Sequence, residues 1–196
     1  HMVRLRNPNF QPIFRGDVYY PEIVVRNSHN RTGCFEISLG IFRQVCSNGL
    51  MAGESYGIHK IRHVGFATDK VESAIKALVH NAPAVLDSVE RWRSIGLSRD
   101  QQIDFAQNAL ELKFDETENK FVLDPEKLLV ARRYADNHHD LWTTFNRVQE
   151  NLIKGGLSGW TSDNRRRRDR SVQNINRSVA INRGLWNLAE SVANSR

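Results

Sequence analysis

The sequence predicts an α+β fold, with antiparallel strands over about residues 3–66 and a predominantly helical C-terminal two-thirds. Three observations carry this reading. In the first third, short runs rich in β-branched and aromatic residues are separated by polar turns. From Asp69 onward apolar residues recur at three- and four-residue steps instead. The 196 residues are 40% hydrophobic and 26% charged with a mean hydropathy of -0.52, which is ordinary globular usage and enough chain to bury a core.

The strands come first. Val3-Arg4-Leu5-Arg6 alternates apolar and basic residues from the outset. So abrupt a start predicts a further segment ahead of residue 1, with His1-Met2 either native or a remnant of tag removal. Asp17 to Arg26 (DVYYPEIVVR) is a strand, residues 27–33 (NSHNRTG) are a polar turn, and Cys34 to Phe42 (CFEISLGIF) is the second arm of an antiparallel hairpin. In that arm Phe35, Ile37, Leu39 and Ile41 alternate with Cys34, Glu36, Ser38 and Gly40, which predicts one packed face and one wet face. Ser47-Asn48-Gly49 marks a turn, and a strand over about Tyr56 to Val64 follows Gly53. The two cysteines, Cys34 and Cys46, lie in strand-like apolar surroundings and read as reduced thiols, not as a secreted disulfide framework.

The helices follow. Val71, Ala74, Ile75, Leu78, Val79, Ala82, Val85, Leu86, Val89 and Trp92 make a long amphipathic helix, capped by Thr68 or Asp69, which Pro83 is expected to bend or split. Ser98 starts another helix that runs to about Leu112, with Ile103, Phe105, Ala106 and Leu110 inward. Residues 115–120 (DETENK) form a charged loop, and Asp124-Pro125-Glu126 opens a helix with proline at its first position. Leu141 to Lys154 and Arg170 to Val192 are the last two helices, separated by the glycines of Gly155 to Gly159. The organisation expected is an α+β core domain over 1–154, a Gly-rich and Arg-rich flexible joint over 155–169, and a C-terminal helix over 170–196. In the helix from Leu141, Trp142, Phe145, Val148, Leu152 and Ile153 form the core stripe. Asn146, Gln149 and Glu150 on the neighbouring face are then costly to bury unless hydrogen-bonded, for example to the glycine stretch, Arg177 or Asn182.

Charge narrows the partners. A formal charge of +6 and a pI near 9.6 favour polyanions. No apolar run approaches the roughly 20 residues that span a bilayer, and no secretory signal is recognisable, so a cytoplasmic protein without a membrane partner is expected.

Three blocks together carry a resemblance. Asn27-Ser28-His29 with Phe35 to Gly49 (FEISLGIFRQVCSNG), Asp140 to Gly156 (DLWTTFNRVQENLIKGG) and Ile181 to Glu190 (INRGLWNLAE) stand in the order found in the phage- and plasmid-borne family catalogued as domain of unknown function 932. The chain resembles that family over nearly its whole length, and family members carry several tens of further residues ahead of the segment like His1 to Arg6. The resemblance implies a mobile-element setting, in which DNA recombination, replication and evasion of host defence are common tasks. It brings no enzymatic activity with it.

The residues that point to chemistry are mostly basic. Arg165, Arg166, Arg167, Arg168 and Arg170, followed by Arg177 and Arg183, offer guanidinium forks that match phosphate oxygens, and Arg170, Arg177 and Arg183 are expected to form a ridge on one side of a helix. The plain alternative is a solvated loop paired with Asp163 and Asp169. Trp160 beside this run is a candidate stacking platform for unpaired bases, or a plug for an apolar gap. The wet sheet face, with Arg26, Arg31, Arg43, Lys60, Arg62 and His63, is a second basic surface. His59 and His63 are four apart, and His138-His139 lie between Asp136 and Asp140, which makes them weak metal candidates. No CxxC or HExxH pattern completes a site, so no metal or cofactor is assigned. Asn27-Ser28-His29 suits a capped turn better than a nucleophile and base, and no catalytic residue is assigned.

The expected function is nucleic-acid binding, with DNA the expected form, in recombination or replication; an analogy to single-strand-annealing proteins also suggests a homo-oligomer. The alternatives are a module that binds a host protein to counteract a defence factor, and a metal-dependent enzyme centred on the histidines.

Overall fold

A computed structural model describes residues 1–6, 13–14, 17–27, 34–43, 50–53, 56–62, 68–114 and 121–196. The fold is α+β: an N-terminal antiparallel sheet, then helices, with a second, smaller sheet among them. By compactness the chain divides into two units, His1–Ser88 and Val89–Arg196.

In the first unit, β1 (Met2–Arg6), β2 (Ile13–Phe14), β3 (Asp17–Arg26), β4 (Phe35–Arg43), β5 (Leu50–Met51) and β6 (Ile58–Ile61) form the sheet. The long antiparallel pair β3–β4 is its axis, matching the expected hairpin, and each arm carries two short strands: β1 and β2 along β3, β5 and β6 along β4. Pro21 interrupts nothing. Asn27 exchanges backbone bonds with His1, so the odd-numbered positions of β3 turn their N–H groups toward β1 and β2. Pro21, lacking an N–H, falls in the gap between those two short strands.

The expected wet face is not wet. Ile37, Leu39 and Ile41 are buried, but so are Glu36 and Ser38 on the opposite face. Carboxylates in register with arginines close that face. Glu22, buried, takes Arg4 at 2.6 Å and also Arg6, whose guanidinium lies 3.6 Å from the Phe42 ring centroid. Glu36 takes Arg26 at 2.8 Å. A Cβ on Gly40 would come within 2.7 Å of the Leu50 carbonyl, so this position keeps glycine for close approach. Arg43 is 1% exposed. Among the described residues, Arg4, Arg6 and Arg26 are thus engaged by the sheet's own carboxylates. Lys60 and Arg62 stay exposed, Arg31 and His63 lie outside the described residues, and of the cysteines Cys34 is a free, half-buried thiol while Cys46 lies outside them.

Helix α1 (Thr68–Ser94) starts where the periodicity predicts, and Pro83 does not split it. Pro83 is exposed, and the carbonyl it deprives of a bond belongs to Val79, itself 59% exposed, so water can replace the lost donor. Ala74, Leu78, Val85 and Leu86 are its buried stripe, and Tyr56 Oη meets Ser88 Oγ at 2.5 Å.

The second unit holds α2 (Arg99–Glu111), β7 (Phe121–Val122), α3 (Leu141–Lys154), β8 (Ser158–Thr161), β9 (Arg166–Arg168) and α4 (Ile175–Asn194). Ser98 caps α2 in a reciprocal box with Gln101. Asp124 and Pro125 open a short 3-10 helix, Pro125–Leu129, rather than an α-helix. The charged stretch 115–120 lies outside the described residues. Trp92, Trp142, Phe145 and Trp186, all essentially unexposed, meet at ring centroid distances of 4.5 to 6.2 Å and form the core.

Helix α3 is buried on nearly all sides, and its buried polar residues are hydrogen-bonded, leaving Asn146 Oδ1 and Arg147 Nε without a partner among the described residues. Asn146 donates to the Trp142 carbonyl, Gln149 to Asn182 Oδ1 at 3.0 Å, and Asn151 to the Leu128 and Val130 carbonyls while accepting from Arg132. Arg147, 6% exposed, donates to Gln102 Oε1, Thr144 Oγ1 and the Leu129 carbonyl, and burial lowers its pKa from the usual arginine range.

Glu150 is gripped by Arg133 and Lys154. Burial pushes its carboxyl pKa up, but the bonds and charges of those two cations outweigh burial and hold it below the usual glutamate range. A carboxylate depressed in the folded state contributes stability above its unfolded pKa and loses it as the pH falls through the folded value. Urea titrations should show wild-type stability dropping below the ordinary glutamate range. Glu150→Gln should cost about 2 kcal/mol at neutral pH and progressively less in acid; a difference from wild type that does not change with pH would remove this role.

A candidate nucleic-acid interface on the arginine hairpin

The stretch 155–169 is a β-hairpin carried by a three-stranded sheet in the order β7-β8-β9. Two glycines steer the chain from α3 into it. Gly155 and Gly156 have φ of 61° and 83°, and a Cβ on Gly155 would lie 2.7 Å from the Arg170 backbone, so only glycine fits the turn. Gly159 serves close approach: a Cβ there would meet Phe121 and the Val122 carbonyl within 2.5 Å.

The last three residues of the arginine run form strand β9, and all three are exposed. Its register pairs Ser158 with Arg168, Gly159 with Arg167 and Trp160 with Arg166. Side chains alternate along a strand, so Trp160, Arg166 and Arg168 share one face with Val122, while Arg167 turns to the opposite face with Phe121. Trp160 is 49% exposed and Val122 67%, which puts the indole on the surface and not in a gap. Arg165, at the tip, pairs with Asp163 at 3.0 Å.

The base of the hairpin is held by a buried ion pair. Lys113, just past α2, donates from Nζ to Asp169 Oδ2 at 2.6 Å, to the Leu152 carbonyl at 2.7 Å and to the Arg170 carbonyl at 2.9 Å. Asp169 Oδ1 accepts from the Leu157 N–H. Burial lowers the Lys113 pKa, partly offset by the hydrogen bond and charge of Asp169, and the nearby Arg177 lowers it further.

The other candidates are dispersed. Asn174 caps α4 from outside, so Arg170 precedes the helix. Arg177 is exposed and donates to the Lys113 carbonyl, while Arg183, six residues on, lies about 240° round the helix and is half-buried, so the expected ridge does not form. Lys60 and Arg62 belong to the other compact unit. His138 and His139 are exposed, His139 meeting Gln102 Nε2 at 3.3 Å; Asp140 caps α3 through Thr143, and Asp136 is buried. His59 is half-buried on β6, and His63, Ser28 and His29 lie outside the described residues. Among the described residues no three His, Cys, Asp or Glu side chains gather as metal ligands, and no helix is long and apolar enough to cross a membrane. Sequence reasoning missed Lys113 and offered Asp169 as a partner for the arginine run, whereas it pairs with Lys113. Their only signals were a lysine directly after a helix end and a carboxylate inside an arginine run.

The molecule is thus an α+β protein with an exposed hairpin on which arginines flank a tryptophan. The family model described as Domain of unknown function (DUF932) matches residues 2–186, and the chain belongs to that family. It is 38% identical over 200 residues to the UPF0380 protein YafZ of Escherichia coli (strain K12) and 35% identical over 195 residues to the UPF0380 protein YfjQ of the same strain, in each case over 98% of this chain and 68% of the relative. No solved structure matches it.

Proposed function

We propose that this chain binds nucleic acid, in the first place DNA, through the outer face of the β8–β9 hairpin. The observation that carries the reading is Trp160 exposed directly opposite Arg166, with Arg168 on the same face. An aromatic face stacks on any base, and guanidinium groups beside it meet the phosphates on either side. A stacking platform serves unpaired bases, which favours single strands, and with them the steps of phage or plasmid recombination and replication in which strands are exposed. Arg165 contributes less, since Asp163 already neutralises it.

The test is a salt series with a labelled oligonucleotide, single- and double-stranded. Changing Arg165, Arg166, Arg167 and Arg168 together to alanine removes the two outer-face guanidinium groups, Arg166 and Arg168, that have no carboxylate partner among the described residues, so the slope of log affinity against log salt should flatten by about 1.4 for a single strand. Trp160→Ala should weaken single-strand binding by about 1–3 kcal/mol with the slope unchanged. Absence of binding at low salt by the unmodified chain would end this reading.

A further inference from the structure

On the opposite side of the same hairpin lies a cleft of about 500 Å³. Phe114 and Phe121, half-buried with ring centroids 5.3 Å apart, give it an aromatic surface. Arg167, Arg170 and Arg177 line it, with Arg168 at the rim. Among the described residues that line it, the one carboxylate, Asp169, is already taken by Lys113. Among the described residues, Arg167, Arg168, Arg170 and Arg177 make no ion pair, so four positive charges converge without a counter-charge from those residues. Like charges gathered around a concave surface repel one another, and an anion placed among them relieves that repulsion. An acidic side chain would need no aromatic surface, whereas an arginine set beside two phenylalanines matches a phosphate joined to a flat ring.

We propose that this cleft binds a nucleoside phosphate, its base against Phe114 and Phe121 and its phosphate among Arg167, Arg170 and Arg177. The ligand is either a free nucleotide or the phosphorylated end of a strand. The second source rests on the outer-face reading, because a strand lying along Trp160 reaches the cleft by passing the free edge of β9.

The experiment compares one single-stranded oligonucleotide carrying a phosphate at neither end, at its 5′ end or at its 3′ end, alongside nucleoside 5′- and 3′-monophosphates. It uses the unmodified chain, the exposed variants Arg167→Ala and Arg170→Ala, and Trp160→Ala. A phosphate contact at this site should be worth about tenfold in affinity. If a strand end is the ligand, one phosphorylated oligonucleotide binds about tenfold tighter than the unphosphorylated one; the gain disappears in Arg167→Ala and Arg170→Ala and persists in Trp160→Ala. If a free nucleotide is the ligand, a monophosphate binds and the same two arginine variants lose it. Equal affinity of all three oligonucleotides with no monophosphate binding overturns the cleft while leaving the outer face standing. Monophosphate binding without oligonucleotide binding supports the cleft and defeats the outer face. A phosphate gain that survives both arginine variants also overturns the assignment.

Discussion

Lys113→Met is expected to destabilise the protein by about 3–5 kcal/mol, because it leaves Asp169 buried with no cation. Lys113 is 5% exposed at its side chain and Asp169 2%, and the lysine's three N–H donors are all in use. Methionine fills similar space but returns nothing to the carboxylate or to the Leu152 and Arg170 carbonyls. Adding Asp169→Asn to Lys113→Met removes the stranded charge and should recover about half the loss, since the amide oxygen can still accept from Leu157. For a chain of this size the single variant should melt about 10 °C lower. Urea denaturation and thermal melts of the single and double variants measure both effects. A single variant within 1 kcal/mol of the wild type, as an approximate limit for exposed pairs, would show that the pair is not buried in solution. The hairpin hangs from this clasp, so the variant should also weaken oligonucleotide binding without touching a contact residue.

Trp92→Ala should be comparably damaging, at about 3–5 kcal/mol. Trp92 has no exposed surface and contacts Trp186 at 4.5 Å, Phe145 at 5.5 Å and Trp142 at 6.2 Å between ring centroids, so its removal opens a cavity bounded by three large rings that cannot all collapse inward. Trp92→Phe should cost less, about 1–2 kcal/mol, because the smaller ring also removes an indole N–H that finds no acceptor. Loss of near-ultraviolet circular dichroism in the alanine variant should accompany the drop in stability. A phenylalanine variant as unstable as the alanine one would overturn this account, in which ring volume carries the position.

Much of the architecture was legible from local pattern. The switch near Asp69 from alternation to three- and four-residue spacing located α1, and Ser98 located the start of α2, where the structure shows a capping box with Gln101. These rules operate over a few neighbouring residues and survive whatever the rest of the chain does. Where the reading went astray, a distant partner had intervened. The polar face of β4 looked wet because Glu36 and Ser38 are polar, yet Arg26 and Glu36 neutralise each other across the strand pair and allow burial. The glycines before Trp160 looked like a flexible joint because glycine suits both free chain and tight turns, and only the close approach of the Arg170 backbone distinguishes the second case.

The candidate site divides in the same way. By itself the sequence determined that four consecutive arginines and a tryptophan lie within ten residues of one another and that the chain carries excess positive charge, since these depend on residue identity alone. The tertiary structure decided the rest. Strand pairing opposed Trp160 to Arg166 and turned Arg167 to the other face, and the Lys113–Asp169 pair, 56 residues apart in the chain, fixed the hairpin base and spent the Asp169 carboxylate. The physical reason is range. Composition and periodicity act locally, whereas the cost of burying a charge is met by whichever partner the fold brings near, and that partner is set by register and packing.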